Sequence, residues 1–337
     1  MSKTINAGNK GLINLGNTCY MNSILQCLSH LLVFHPKNEK FFNECKDSKD
    51  NLINEWFQFQ RKMWSNENNN IQTPIDLLKS FVKVCNEKDL YFENFRQNDV
   101  DEFLTLFLDQ LHQCITKKVT INRKLKKIDD KASQIVEKGY LTWKKFYEND
   151  YSYIVENFYS QLSSLTVCPN CYYFTSNHDP IQVLSLELID KPSLSIYDCL
   201  DNYTSKKVLD EKNLWTCDKC KKKVQPHQKT VLFKTSDILI ILLKKYNTRN
   251  KIDKFVKYPM ILDLSEYNRN YGTNKTNKYK LSGFCIHQGS LNGGHYYAVC
   301  NNVFDKKWYE YNDSQVNNID NELVLNYKPY LFFYRRV

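Results

Sequence analysis

The sequence predicts an α+β fold in which helices come first and sheet second. Three observations predict it. Apolar stripes at three-to-four spacing occur before about residue 115, and beyond Tyr151 the character changes to short segments rich in β-branched and aromatic residues. No strand-helix-strand alternation of the doubly wound kind links the two regions. At 337 residues the chain holds about two domains' worth of core at roughly 150 residues each. Its 42% hydrophobic and 25% charged residues match ordinary globular chains. No uncharged apolar run approaches the about 18 residues that a bilayer span requires; the longest, Ile238 to Leu243, reads as a buried strand. Met1 to Lys10 is polar and lacks an apolar signal core. A soluble chain of the cytoplasm or nucleus, with no membrane partner, is the expectation.

The elements follow in order. Tyr20, Ile24, Leu25, Leu28, Leu31 and Leu32 bury one face of a helix that begins near Asn17 or Thr18, placing Cys19 in its first turn. Asn66 to Asn70 reads as a polar loop. Val100, Phe103, Leu104, Phe107, Leu108 and Leu111 form a second stripe, with Asp99, Asp101 and Glu102 at the end where the helix dipole favours carboxylates. Lys117 to about Lys138 is basic and weakly periodic, which predicts an exposed connection or insertion. Strands are predicted at Ile181 to Leu188, Thr230 to Phe233, Ile238 to Tyr246, Tyr279 to Ile286, His295 to Cys300, Trp308 to Tyr311 and Tyr330 to Arg335.

Twelve cysteines divide by spacing into two classes. Eight are scattered singly, a pattern that fits a reducing compartment and core packing, Cys285 and Cys300 within strands included. The other four form two CxxC pairs, Cys168/Cys171 and Cys217/Cys220, with Pro169-Asn170 and Asp218-Lys219 in the turns. Four thiolates suit one tetrahedral zinc in a closed structural site. Paired disulfides, or a redox-active CxxC without its usual βαβ context, are the rival readings.

Cys19 follows Gly11-Leu12-Ile13-Asn14-Leu15-Gly16-Asn17-Thr18. At a helix N-terminus, unpaired N–H groups and the positive dipole end favour thiolate, so a lowered thiol pKa and a nucleophilic role are expected. A small buried cysteine is the plainer alternative. Asn14 offers an amide to an oxyanion beside Cys19. Among seven histidines, His295 stands out, entering a strand after Gly293-Gly294, and Asn312-Asp313 ends the next strand with an amide and a carboxylate within reach of an imidazole on a neighbouring strand. A satisfied structural histidine would look the same from sequence.

The charge of +10 permits an acidic partner but does not require one. The chain is rich in Asn, Lys, Ile and Tyr throughout, which points to A/T-biased coding. Its densest basic stretches, Lys117 to Lys127 and Lys219 to Lys223, read as solvated surface. A basic zinc-ribbon protein binding nucleic acid would need lysines on one face with aromatic platforms between them. Along the sequence they are dispersed, so no nucleic acid is expected.

These motifs together resemble the ubiquitin-specific protease family of deubiquitinating cysteine peptidases. Gly11 to Leu28 resembles its cysteine box, Gln97 to Leu104 its Gln-Gln-Asp-Ala-x-Glu-Phe-Leu segment, and Tyr279 to Cys300 with Trp308 to Val316 its histidine box. Asn157 to Leu186, the second CxxC and Leu242 to Pro259 also match. The resemblance implies one papain-like catalytic domain over 1–337, shaped as a right hand. Residues 1–115 would form a helical thumb, 116–150 a basic connection, 151–235 zinc-ribbon fingers and 236–337 a β-sheet palm. It further implies hydrolysis after the C-terminal glycine of ubiquitin: Cys19 as nucleophile, His295 as base then acid, Asn312 orienting His295, with Asp313 sharing or assuming that role, and Asn14 at the oxyanion. Gln97, Asp99, Gly294 and Tyr296 would bind the ubiquitin tail, whose glycine pair fits a channel closed to larger side chains. Asn312 stands where many relatives carry Asp, Asn98 replaces the second Gln, Asp101 a frequent His, and Leu243-Lys244-Lys245-Tyr246 stands for Leu-Lys-Arg-Phe. Two other readings remain at this stage: a catalytically weak ubiquitin-binding scaffold, and a protease for a ubiquitin-like modifier. A need for an activating protein partner is also open.

Overall fold

The computed structural model describes residues 7–45, 48–66, 70–90, 92, 98–122, 130–210, 212, 214–246, 251–268, 276–290 and 293–337. Among them the helices are α1 (Cys19–Ser29), α2 (Glu39–Cys45), α3 (Asn51–Met63), α4 (Ile75–Glu87), α5 (Val100–Cys114), α6 (Lys131–Tyr147), α7 (Tyr153–Phe158) and α8 (Ile196–Thr204). The strands are β1 (Gly11–Leu12), β2 (Ile71–Gln72), β3 (Ser160–Val167), β4 (Phe174–Ile181), β5 (Val183–Glu187), β6 (Leu194–Ser195), β7 (Lys207–Val208), β8 (Trp215–Thr216) and β9 (Lys223–Val224). They continue with β10 (His227–Lys234), β11 (Ile238–Lys244), β12 (Val256–Lys257), β13 (Ile261–Asp263), β14 (Lys278–Ser290), β15 (Gly293–Asn301), β16 (Trp308–Asn312), β17 (Gln315–Ile319) and β18 (Leu331–Arg336). No helix among the described residues is long and apolar enough to cross a membrane.

The centre is an eight-stranded sheet ordered β17-β16-β15-β14-β18-β11-β5, with β13 beside β14. It is antiparallel except where β11 pairs β5 in parallel, Ile240 opposite Val183. Both faces are covered, which explains the unbroken apolar run in β11. Ile238, Ile240 and Leu242 enter a core shared with the N-terminal helices, while Leu239, Ile241 and Leu243 enter a second core capped by Ile196, Cys199 and Leu200 of α8. β18 alternates the same way: Leu331 and Phe333 face the first core, Phe332 and Tyr334 the second. A four-stranded antiparallel sheet, β4-β3-β10-β7, extends from this body and ends near the paired cysteines.

One expectation is corrected and another refined. α1 is buried on every side, all eleven residues of it, and not on one face, because β15 lies against one flank and α5 against another. The basic segment from Lys117 to Lys138, read as an exposed connection or an insertion, has no buried residue among its described positions, and its second part opens α6. Asp130 caps α6 by accepting from Ser133 N–H at 2.7 Å, and Trp143 and Tyr147 are buried in a small cluster with Val155. Those aromatics lie past Lys138, where the weak periodicity ends, so the basic half hid the helix. Helices α2, α3, α4, α7 and α8 were not predicted either, although Leu52, Ile53, Trp56, Phe59 and Met63 of α3 carry a readable stripe.

Candidate active site

Three segments remote in sequence converge where α1 meets the sheet. Gly11 of β1 lies so close to the β16–β17 turn that a β-carbon would come within 2.4 Å of the Ser314 carbonyl oxygen. Leu12 N–H then donates to Asp313 C=O at 2.8 Å. This contact brings the loop before Cys19 against the turn carrying Asn312 and Asp313. Asn14 shapes the loop: its Oδ1 accepts from Gly16 N–H at 3.0 Å and Thr18 N–H at 3.1 Å. Gly16 and Asn17 adopt left-handed backbone, φ 98° and 52°, and α1 opens at Cys19.

His295 stands in β15 next to β16, and its Nε2 lies 2.6 Å from Asn312 Oδ1. Since an amide oxygen only accepts, Nε2 carries the hydrogen and Nδ1 is left with a basic lone pair. Asp313 Oδ2 is 4.0 Å from the same Nε2, beyond hydrogen bonding. The Asp313 carboxylate is held elsewhere, accepting from Asn14 Nδ2 at 2.9 Å and Asn22 Nδ2 at 2.8 Å. Asparagine therefore meets the imidazole, and the aspartate secures Asn14 and α1. Asp313 itself has φ 48°, a conformation that Asp tolerates better than most residues.

The environment of Cys19 differs from the sequence expectation. The thiol is buried and its pKa is raised, first by burial and further by the Asp313 carboxylate, while N–H groups of Tyr296, Tyr20 and Cys19 itself pull it down. Desolvation outweighs the local amides at the helix start.

A cavity of about 280 Å³ opens beside it, lined in part by Cys19, Asp99, His287, Gly293, Gly294 and Tyr296. Gly294 faces His287 so closely that a β-carbon would sit 2.1 Å from its Nε2 and 2.5 Å from Gln288 C=O. Asp99 caps α5, accepting from Val100 N–H at 2.7 Å, and also accepts from Tyr296 OH at 3.2 Å and Tyr330 OH at 3.0 Å. Asp101, two residues on, has its carboxyl raised to about 6 by burial and by Asp99. Gln97 lies outside the described residues. Sequence reasoning missed Asn22, His287, Tyr246 and Tyr330. Asn22 was findable, one helical turn after Cys19 and polar in a buried helix. His287 was not, because only the hairpin register, His287 opposite Tyr296, carries it to the cavity. Its Nδ1 contacts Tyr246 OH, and burial followed by Lys251 lowers its pKa to about 4, leaving a neutral ring.

The four paired cysteines form a second site. Their sulfurs lie within 4.8 Å of one another, Cys168 to Cys220 at 3.9 Å and Cys171 to Cys217 at 3.6 Å. An ion with metal–sulfur bonds of about 2.3 Å places tetrahedral sulfurs about 3.8 Å apart, so the set fits a metal such as zinc. The two turns are equivalent: Tyr172 N–H reaches Cys168 C=O at 3.1 Å, and Lys221 N–H reaches Cys217 C=O at 2.8 Å. No disulfide joins them, and all twelve cysteines are free.

Comparison with known proteins gives consistent results. The family model described as ubiquitin carboxyl-terminal hydrolase matches residues 10–334. Ubiquitin carboxyl-terminal hydrolase Usp2 of Drosophila melanogaster is 31% identical over 97% of this chain and 34% of its own length. The human ubiquitin carboxyl-terminal hydrolase 2 is 30% identical over 97% and 55%. A probable ubiquitin carboxyl-terminal hydrolase of Acanthamoeba polyphaga mimivirus is 28% identical over 100% and 93%. The chain thus spans about a third to a half of the first two and nearly all of the viral relative. Among solved structures, the SAGA DUB module of Ubp8, Sgf11, Sus1 and Sgf73 bound to monoubiquitin superposes with TM-score 0.77 and 26% identity, over 100% of this chain and 70% of that one. The same module bound to ubiquitin aldehyde gives 0.75 and 27%, over 99% and 70%. A match that begins before the cysteine loop and runs on into the last strand takes in both halves of the site, and on that ground the chain belongs to the ubiquitin carboxyl-terminal hydrolase family.

Proposed function

We propose that this chain is a cysteine-type deubiquitinase that hydrolyses the peptide or isopeptide bond after the C-terminal glycine of ubiquitin. The observation that carries the reading is the 2.6 Å contact of His295 Nε2 with Asn312, one residue before Tyr296, whose backbone amide pulls the Cys19 thiol pKa down. In this mechanism Nδ1 of His295 takes the Cys19 proton, which the raised thiol pKa makes necessary. Sulfur attacks the glycine carbonyl and the charge moves to oxygen. One N–H of Asn14 Nδ2 is committed to Asp313; the other is free to meet that oxyanion, together with amides at the start of α1. Imidazolium then protonates the departing lysine amine, leaving a thioester that water, activated by the same imidazole, hydrolyses.

The tail would enter between Gly294 and Tyr296 with Asp99 facing its basic residue, and Gln97 is assigned alongside them from the sequence. On the same reading 1–115 is the thumb, 116–150 the connection, 151–235 the fingers that hold the body of ubiquitin, and 236–337 the palm. One structural zinc sits on Cys168, Cys171, Cys217 and Cys220, and the free thiols support a reducing cytoplasmic or nuclear setting. Ubiquitinated proteins are the partners, and the buried Cys19 thiol supports a demand for substrate, or for an activating protein, to complete the site.

The test is turnover of a fluorogenic ubiquitin C-terminal amide beside Cys19→Ala, with an electrophile-tipped ubiquitin to trap the sulfur. Turnover abolished in the variant, and one adduct at Cys19 by mass spectrometry, are expected. Equal turnover in both proteins rejects catalysis and favours a binding scaffold. Preference for a ubiquitin-like modifier probe rejects ubiquitin as the substrate.

A further inference from the structure

Beside the first cysteine turn, the fold assembles a groove of about 480 Å³ whose walls include Lys131 and Lys138 of α6, Lys219 of the second turn, and Tyr172, Tyr173 and Phe174. Among the described residues no carboxylate lines it. Lys138 is occupied by the Ser176 carbonyl, whereas Lys131 lies over the Phe174 ring, its Nζ 5.7 Å from the centroid. Lys219, Lys221, Lys222 and Lys223 are all exposed, and the ion pairs described in the structure engage other lysines.

A second observation is independent of the charge. Both residues that follow the cysteine pairs are left-handed, Tyr172 at φ 55° and Lys221 at φ 59°. Glycine adopts that conformation without steric cost, and a bulky residue does not. This chain nevertheless places there a tyrosine that is 74% exposed and an exposed lysine. Neither side chain contributes packing that would offset the conformational cost. Each left-handed residue closes its cysteine turn, Tyr172 N–H on Cys168 C=O and Lys221 N–H on Cys217 C=O, so the turn accounts for the backbone; it does not account for a large ring left exposed beside a cationic groove.

We propose that this groove binds single-stranded nucleic acid, with bases stacking on Tyr172 and the phosphate backbone following Lys131 and Lys219. Aromatic rings interleaved with ammonium groups match a polymer that offers a flat face and an anion at every unit. An acidic peptide would satisfy the lysines but leave the exposed ring without a use. Lysine as a point charge, with no arginine fork among the described residues of the groove, fits backbone tracking in place of base reading. Along the sequence Lys131 and Lys219 lie far apart; α6 packing on β4, with the four cysteines joining the second turn to the turn before β4, brings them together.

The experiment measures fluorescence anisotropy of a labelled oligo-dT and its RNA counterpart on the full, metal-loaded chain across a salt series. Log affinity should fall linearly with log salt, and Lys131→Glu with Lys219→Glu should reduce the slope by about 0.7 for each phosphate that is no longer neutralised. Tyr172→Gly should weaken binding by about 5- to 150-fold, the equivalent of one base stack, while its unfolding temperature stays level or rises as the left-handed strain is relieved. That opposition separates removal of a stacking platform from damage to the fold. Four results would overturn the proposal: no binding at low salt; unchanged affinity in Tyr172→Gly; equal weakening by Lys79→Glu with Lys83→Glu on α4, which would mean attraction to net charge alone; or tighter binding of poly-glutamate than of the oligonucleotides, which would make the groove a site for acidic protein segments.

Discussion

At Cys19 two local influences oppose each other. The helix start supplies amides that stabilise thiolate, burial removes the solvent that would also do so, and burial wins. Since the thiol titrates above its ordinary value, alkylation of Cys19 in the ligand-free protein should keep accelerating with pH through 9. A plateau near neutrality would indicate a preformed thiolate. Asn312 and Asp313 divide the work usually given to one residue, and kinetics separates them. Asn14→Ala should lower kcat by about 10²- to 10³-fold with little change in KM, as for the loss of an oxyanion donor. Asp313→Ala should reproduce part of that loss, because it frees the amides of Asn14 and Asn22. Gly294→Ala acts on the channel: with His287 Nε2 2.1 Å from the new carbon, KM for ubiquitin substrates should rise by more than kcat falls.

At the scale of the element, α5 and α6 show when periodicity is readable. The stripe of α5 is continuous, because one face meets one core, and of the three acids read into its first turn Asp99 proves to be the cap. In α6 the aromatic anchors Trp143 and Tyr147 gather in the second half and pack beneath Lys234, whose Nζ lies 3.4 Å from the Trp143 ring centroid. Trp143→Ala should cost about 3 kcal/mol of stability, the lower end for a buried tryptophan, measured by denaturant unfolding. Asp101 on α5 supplies a pH test. Its pKa is raised from 3.8 to about 6, so the folded state holds this proton more tightly than the unfolded one. The stabilisation it contributes is complete below the unfolded value and is lost as pH rises toward 6. At pH 7 the ionised group is a liability, so Asp101→Asn should raise stability by about 1 kcal/mol after allowance for solvent screening and should flatten the profile between pH 4 and 6.

For the whole molecule, the four paired cysteines join two turns whose surroundings have little core of their own; their cluster adds only Val224, with Tyr173 and Trp215 alongside. Stripping the metal with a chelator should lower the unfolding temperature and expose the outer ends of β3, β4 and β10 to hydrogen exchange before the central sheet. Elemental analysis should find one zinc per chain. Sequence by itself determined the order of helices and sheet, the burial of β11, the apolar stripe and acidic start of α5, the cysteine pairs and the segments bearing Cys19, His295 and Asn312, since each is written in local spacing and residue chemistry. Tertiary structure alone decided which residue meets the imidazole, that α1 is buried all round, that burial raises the Cys19 thiol pKa, and that His287 and Asn22 belong to the site. Those outcomes depend on strand register and on the loss of solvent between elements, and both come into being only when segments nearly the length of the chain apart are packed together.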